Sequence, residues 1–137
     1  MISRYRAKSI DESNKGEWAY GYLIVDSNNA LIVNRIISCE EDYVEFGDWC
    51  PVDIDTVGQS TGMFDKNGVE IWEGDIVLTT RLIDYTYKNF KGVVKMLEGR
   101  WLIDTGKDAV GLWTEVDENE AIGNIYQNSE LLESVEE

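Results

Sequence analysis

Glycines at turn spacing between Gly58 and Val77 constrain this chain more than any other stretch: Gly-Gln-Ser-Thr-Gly-Met-Phe-Asp-Lys-Asn-Gly-Val-Glu-Ile-Trp-Glu-Gly-Asp-Ile-Val. Asn67-Gly68 can hold two consecutive positive φ values, so it predicts a type I′ hairpin turn with Met63 to Asp65 arriving and Val69 to Trp72 leaving. A second reversal follows at Glu73-Gly74. Asp75 then opens a further β run, and its carboxylate is placed to accept from nearby backbone amides. Short extended segments punctuated this closely predict a mainly β protein.

The rest of the chain reads the same way. Residues 2 to 10 alternate Arg4, Arg6 and Lys8 with Ser3, Tyr5, Ala7 and Ser9, the pattern of an edge strand with a charged outer face. Trp18 to Val25, a turn at Asp26 to Asn29, and Ala30 to Ile37 form a hairpin rich in β-branched and aromatic residues. From Glu40 to Asp55 there are seven carboxylates and no base, and Pro51 favours extended geometry at Cys50 over helix. Asp84 to Lys91 reads as the longest candidate binding loop, carrying Tyr85, Tyr87 and Phe90. Gly92 to Leu97, a turn at Glu98-Gly99, and Arg100 to Ile103 make another hairpin, with Trp101 and Ile103 on one face. Leu112 to Val116 predicts a strand, Asp117 to Glu120 an acidic turn, and Ala121 to Tyr126 the last strand. Asn128 is placed to cap a short helix whose Leu131 or Leu132 docks on the sheet.

Composition narrows the function. The 137 residues fit one domain, 1–137, with a candidate subdivision into a β meander at 1–57 and a barrel-like half at 58–137. With 27 acidic and 12 basic residues the formal net charge is −15, which argues against nucleic acid as a partner. No apolar run has the length of a membrane span, and the N-terminus lacks the apolar core of a signal peptide, so the expected address is the cytoplasm, with no membrane contact. Cys39 and Cys50 read as reduced thiols. There is no histidine, which removes imidazole-dependent nucleophilic catalysis, and two cysteines cannot complete a zinc site. No cofactor or metal is expected. Asp53 and Asp55 share a face if extended, but they lack the further ligands of a calcium loop and read as solvated turn carboxylates.

Several motifs together resemble the YopX protein family of bacteriophages, prophages and their hosts: Arg6-Ala7-Lys8, Gly16 to Tyr22, Asp55 to Gln59, Thr61 to Gly68, Ile71 to Val77 and Ile122 to Leu132. They run nearly end to end. The family commonly has proline where Ile54 and Ser129 stand here. It has no established activity, cofactor or catalytic residue, so the resemblance implies a mostly β fold of several antiparallel hairpins, a phage or prophage origin, and a homo-oligomer. The motif residues Gly58, Gly62, Asn67, Gly68, Gly74, Asp75, Gly123 and Asn124 have a structural explanation in turns and close backbone approach.

The favoured reading is a non-enzymatic accessory protein that self-associates and engages a host or phage protein. Candidate interaction residues are Trp18, Trp72, Tyr85, Tyr87, Lys91 and Lys95, the lysines belonging to a basic cluster that runs from Arg81 to Arg100. Glu73 to Val77 with Gly92-Val-Val also admits an SH3-like small barrel associated with nucleic acid. An acidic DNA mimic that occupies a host DNA-binding protein, and a hydrolase built on Asp53 and Asp55, complete the alternatives. One consequence needs no partner: Gly68→Val should lower unfolding stability by about 1 kcal/mol or more through the strained φ, read as a shift in urea midpoint.

Overall fold

The computed structural model describes residues 4–39, 44–113 and 117–133. Among the described residues eleven strands and one short α-helix follow in order, besides a 3-10 turn: β1 (Tyr5–Lys8), β2 (Trp18–Asp26), β3 (Asn29–Cys39), β4 (Val44–Val52), β5 (Gly58–Phe64), β6 (Glu70–Trp72), β7 (Asp75–Ile83), β8 (Thr86–Leu97), β9 (Arg100–Asp104), β10 (Ala109–Gly111), β11 (Glu118–Asn124) and α1 (Glu130–Glu133). All the strand pairings with a defined register are antiparallel. The chain divides into two compact units, residues 1–60 and 61–137.

In the first unit the strands lie in the order β4-β3-β2-β1, with the start of β5 on the far side of β1. This corrects the expectation of an edge strand at the N-terminus. β1 pairs on both sides, with Tyr5 opposite Gly21 in β2 and opposite Gln59 in β5. Ala7, Ala30, Ile32 and Val52 form the core on one face, packed by Tyr5, Ala19, Leu23, Cys50 and Val57. The opposite face is not a simple charged surface either. Arg6 is buried, its guanidinium carbon lying 4.3 Å from the centre of the Trp18 ring, and the Lys8 ammonium lies 4.4 Å from the same ring. Two cations on one indole convert a polar alternation into a packed layer. Burial, and then the neighbouring Arg6 charge, draws the Lys8 ammonium below its ordinary value.

β2 and β3 approach closely at Gly21. A Cβ on Gly21 would run into the backbone carbonyl of Val33 on β3, so only glycine lets the two strands meet there. Cys50 is a free thiol, and its Sγ donates to Ser9 Oγ at 3.2 Å. The four residues 40–43 of the acidic segment lie outside the described residues, while β4 and a 3-10 turn at Ile54–Thr56 account for the remainder.

The second unit holds the end of β5, β6, and a five-stranded sheet in the order β10-β9-β8-β7-β11. Ile71, Val77, Val94, Ile103 and Leu112 form its core, with Met63, Trp101 and Val110 packed against them. The expected face of Trp101 and Ile103 is thus the core face. Among the described residues the sheet ends at β10 and β11 without a pairing that closes it, so the SH3-like barrel is not found. Two further expectations change. The Asp117 to Glu120 segment is not a turn but the entry to β11, and the strand expected at Leu112 to Val116 is β10 at Ala109–Gly111, with residues 114–116 outside the described set. Asn128 also turns away from its predicted capping role: its side-chain Oδ1 accepts from Asn124 N at 3.2 Å.

Candidate functional site

Asp65 organises the turn that follows β5. Its backbone N–H donates to Val69 O at 2.8 Å, and Gly68 N–H donates to Asp65 O at 3.0 Å. Only Gly68 takes a positive φ, +81°; Asn67 does not. The predicted type I′ turn is therefore a three-residue loop closed by one left-handed glycine. The reason is the Asp65 side chain, whose Oδ1 accepts from both Asn67 N and Val69 N at 2.9 Å. Such a bond holds Asn67 in ordinary right-handed geometry.

The other carboxylate oxygen reaches across the unit. Asp65 Oδ2 accepts from Ala121 N on β11 at 3.0 Å, and next to it Lys66 N donates to Asn119 O at 2.9 Å. Burial pushes the Asp65 carboxyl up, but the N–H groups of Ala121, Val69 and Asn67, aided by the Lys66 charge, outweigh it and hold the group below its ordinary value. On the adjoining strand Asn119 is fully enclosed, with Thr79 Oγ1 donating to its Oδ1 at 2.6 Å and its Nδ2 donating to Trp113 O at 2.7 Å.

The motif residues further along do comparable structural work. Asp75 is buried and its Oδ2 accepts from Trp72 N at 2.8 Å, the amide contact expected of it. Gly74 sits at φ +90° against the Tyr126 ring. Asn124 Oδ1 accepts from Tyr126 N and Gln127 N, both at 3.0 Å, which bends the chain out of β11, while Gly123 gives Asn128 room. Gly62 has φ +74° inside β5, and Gly58 pairs with Arg6. Asp53 caps the 3-10 turn by accepting from Asp55 N at 3.0 Å. Among the described residues no three carboxylates or thiols converge as a metal site.

The segment expected as a loop at Asp84 to Lys91 is instead a long hairpin. β7 and β8 stay in register from Ile76 opposite Val93 to Ile83 opposite Thr86, and only Asp84 and Tyr85 form the turn. Both have positive φ, +50° and +64°, the geometry that matches the twist of flanking strands. For an aromatic residue this conformation is strained. Tyr85 is nonetheless 100% exposed, Tyr87 73% and Leu82 55%, with Ile83 beside them. The tip thus exposes apolar side chains on both faces of the hairpin, held out at the chain's own expense.

Basic residues at the base of this hairpin separate into two groups. Arg81 donates through Nε and Nη2 to Asp117 Oδ2, at 2.9 and 2.7 Å, and through Nη2 to Gly111 O at 3.1 Å. It is a structural clamp, its charge met by the Asp117 carboxylate. Lys91 and Lys95 instead line a groove of about 560 Å³ together with Val93, Asp104, Thr105, Gly106, Lys107 and Leu132. Lys95 Nζ donates to Asp104 Oδ2 at 2.8 Å, and Gly106 N donates to the other oxygen at 2.9 Å. The Lys95 bond first, then the Gly106 amide, hold Asp104 below its ordinary value against a small opposing effect of burial.

The candidate residues are therefore not one site. Tyr85 and Tyr87 both lie at the tip, and Lys91 and Lys95 both line the groove. Trp18 is half-buried beneath two cations, and Trp72 is only 5% exposed and belongs to the interior rather than to an interface. The exposed tryptophans are Trp49 and Trp113, which one-per-strand spacing could not separate from the others. Lys107 was missed because it is remote from Lys91 in sequence. Only the pairing of β8 with β9 brings it near.

Residues 4–133 match the sequence profile of the YopX protein family. A crystal structure of protein EF1440 from Enterococcus faecalis is similar in fold, with a TM-score of 0.56 and 24% identity over 96% of this chain and 99% of that one. No curated protein matches the sequence.

Asp65→Ala should lower stability by about 2–3 kcal/mol, because three N–H groups lose their acceptor. A carboxyl depressed in the folded state stabilises fully above its ordinary value of 3.8 and loses that contribution as pH falls through the folded value. Urea midpoints measured from pH 6 down to about pH 3 should accordingly fall less steeply for Asp65→Asn than for the parent. An equal slope in the two proteins would remove Asp65 from the acid response.

Proposed function

The chain belongs to the YopX protein family, and on that premise we propose that it is a non-enzymatic accessory protein that works by contact, through the β7–β8 tip, with a second copy of itself as the first occupant. The carrying observation is Tyr85, fully exposed at φ +64°. Glycine would fit that turn with less strain, and water gains nothing from an exposed ring, so stability alone does not account for a tyrosine there. Leu82 stands opposite Tyr87 and extends the apolar surface on one face, with Ile83 on the other face of the hairpin, and exposed apolar surface of this kind marks contact sites.

Lys88, exposed on the hairpin, offers a carboxylate of a second copy a local contact, while the net charge of −15 on each copy opposes association at long range, so the apolar tip has to carry the contact. In the phage or prophage setting that the family implies, a host or phage protein would engage the assembled form. The reading without chemistry draws on the lack of histidine and on the use of Asp53 as a turn cap.

Light scattering coupled to size exclusion at tens of micromolar should give a dimer or larger species for the parent. Tyr85→Ser combined with Tyr87→Ser should shift it to monomer with an unchanged circular dichroism spectrum. A parent that is strictly monomeric, or a double variant that assembles equally well, would contradict the proposal.

A further inference from the structure

The first unit holds a cavity that contact through the tip leaves unused. β2 pairs with β1 from Trp18 to Gly21 and with β3 only from Tyr22 onward, where Tyr22 stands opposite Val33. Where the pairing of β2 with β3 has ended, a cavity of about 460 Å³ is lined by Trp18, Tyr20, Asn34, Asp48 and Trp49 among others, a size that suits a small ligand. Neighbours in a regular strand face opposite sides. Asp48 and Trp49 are neighbours in β4 yet line the same cavity, and Asp48 takes φ +49°, a local departure from extended geometry that permits it. Asn34 and Asp48 are exposed, as is 60% of Trp49. Among the described residues no side-chain hydrogen bond or ion pair occupies Asn34 or Asp48.

We propose that this cavity binds a neutral pyranose sugar, one face of the ring stacked on Trp49 and its hydroxyls bonded to Asp48 and Asn34. A pyranose with equatorial hydroxyls has an apolar face of axial C–H groups, and an indole offers a flat apolar surface to cover it. Its hydroxyls can donate to the carboxylate and accept from the amide, so both side chains find partners on one ring. Asn14, whose Oδ1 accepts from Ser9 Oγ at 2.6 Å, adds a fixed amide to the lining. Charge disfavours ionic ligands of either sign. A carboxylate or phosphate would meet the field of a chain at −15. A cation would find Asp48, but also Arg6 and Lys8, which lie 4.3 and 4.4 Å from the centre of the Trp18 ring in the cavity wall. A neutral ring feels neither.

The test uses the full chain labelled with nitrogen-15 and two sugars, methyl β-glucopyranoside and cellohexaose, read by amide and indole N–H shifts. Saturable shifts are expected at the Trp49 indole and at the Asn34 and Asp48 amides of the parent protein. Tighter binding of cellohexaose assigns the cavity to a segment of polysaccharide, and equal binding assigns it to a single ring; both uphold the proposal. Trp49→Ala should weaken binding about tenfold, read at the Asn34 and Asp48 amides. Asp48→Asn, which tolerates the same left-handed backbone while removing the carboxylate, should weaken it severalfold. Trp113→Ala, which removes an exposed indole from the second unit, should leave it unchanged. Absence of saturable shifts with either sugar would overturn the proposal. So would equal weakening by Trp113→Ala, shifts confined to residues outside the cavity, or tighter binding of a capped lysine than of methyl β-glucopyranoside.

Discussion

Asp65 is the contact on which the second unit depends. A buried carboxylate is stable only when its charge is met, and here backbone N–H groups from Asn67, Val69 and Ala121 meet it. Two of those donors close the loop after β5, and the third belongs to β11, 56 positions along the chain. One side chain therefore fixes a local turn and a long-range strand position together. The neighbouring Lys66–Asn119 backbone bond and the enclosed Thr79–Asn119 pair continue the same line into β7. β7 is then held on both sides, by β11 and by β8, and this supports the long hairpin that ends in Tyr85.

Display of that tip makes sense only on a rigid base. An apolar cluster on a mobile loop would collapse onto the nearest core or lose too much entropy on binding. On β7 and β8 the ladder runs unbroken to the turn, and the Arg81 clamp ties β7 to Asp117 and Gly111. The chain thus invests a buried acid, an enclosed amide and an ion pair in holding the hairpin that carries strained, exposed aromatics. The same strand β8 then carries the lysine groove nearer its other end, so one stiff element presents two surfaces of different chemistry.

Much of this was legible in the sequence because glycine and short polar residues have few alternative explanations. The turns at Gly68, Gly74 and Glu98-Gly99, the amide contact of Asp75, and the hairpin of β8 and β9 all follow from local chemistry. Other features depended on long-range pairing and were hidden. Nothing near Asp65 announces that Ala121 will donate to it, so local chemistry points to Asn67 as the turn residue instead. The alternation of Arg4, Arg6 and Lys8 suggested an exposed edge, since no local rule foresees that Trp18 will sit beneath two of the cations. Asp84-Tyr85 lacks the glycine that usually marks a two-residue turn, so local chemistry points to a loop at the tip. Strain, where it occurs, defeats a reading founded on propensity.

The second unit depends on Asp65 being a charged anchor in the folded protein. Carbon-detected NMR titration of its side-chain carboxyl, followed alongside the amide of Ala121, measures this directly. A midpoint below 3.8, shared by the Ala121 amide, is the result predicted. A midpoint at or above that value, or an Ala121 amide indifferent to the titration, would mean that the carboxylate does not hold β11 and that the support assigned to the hairpin lies elsewhere.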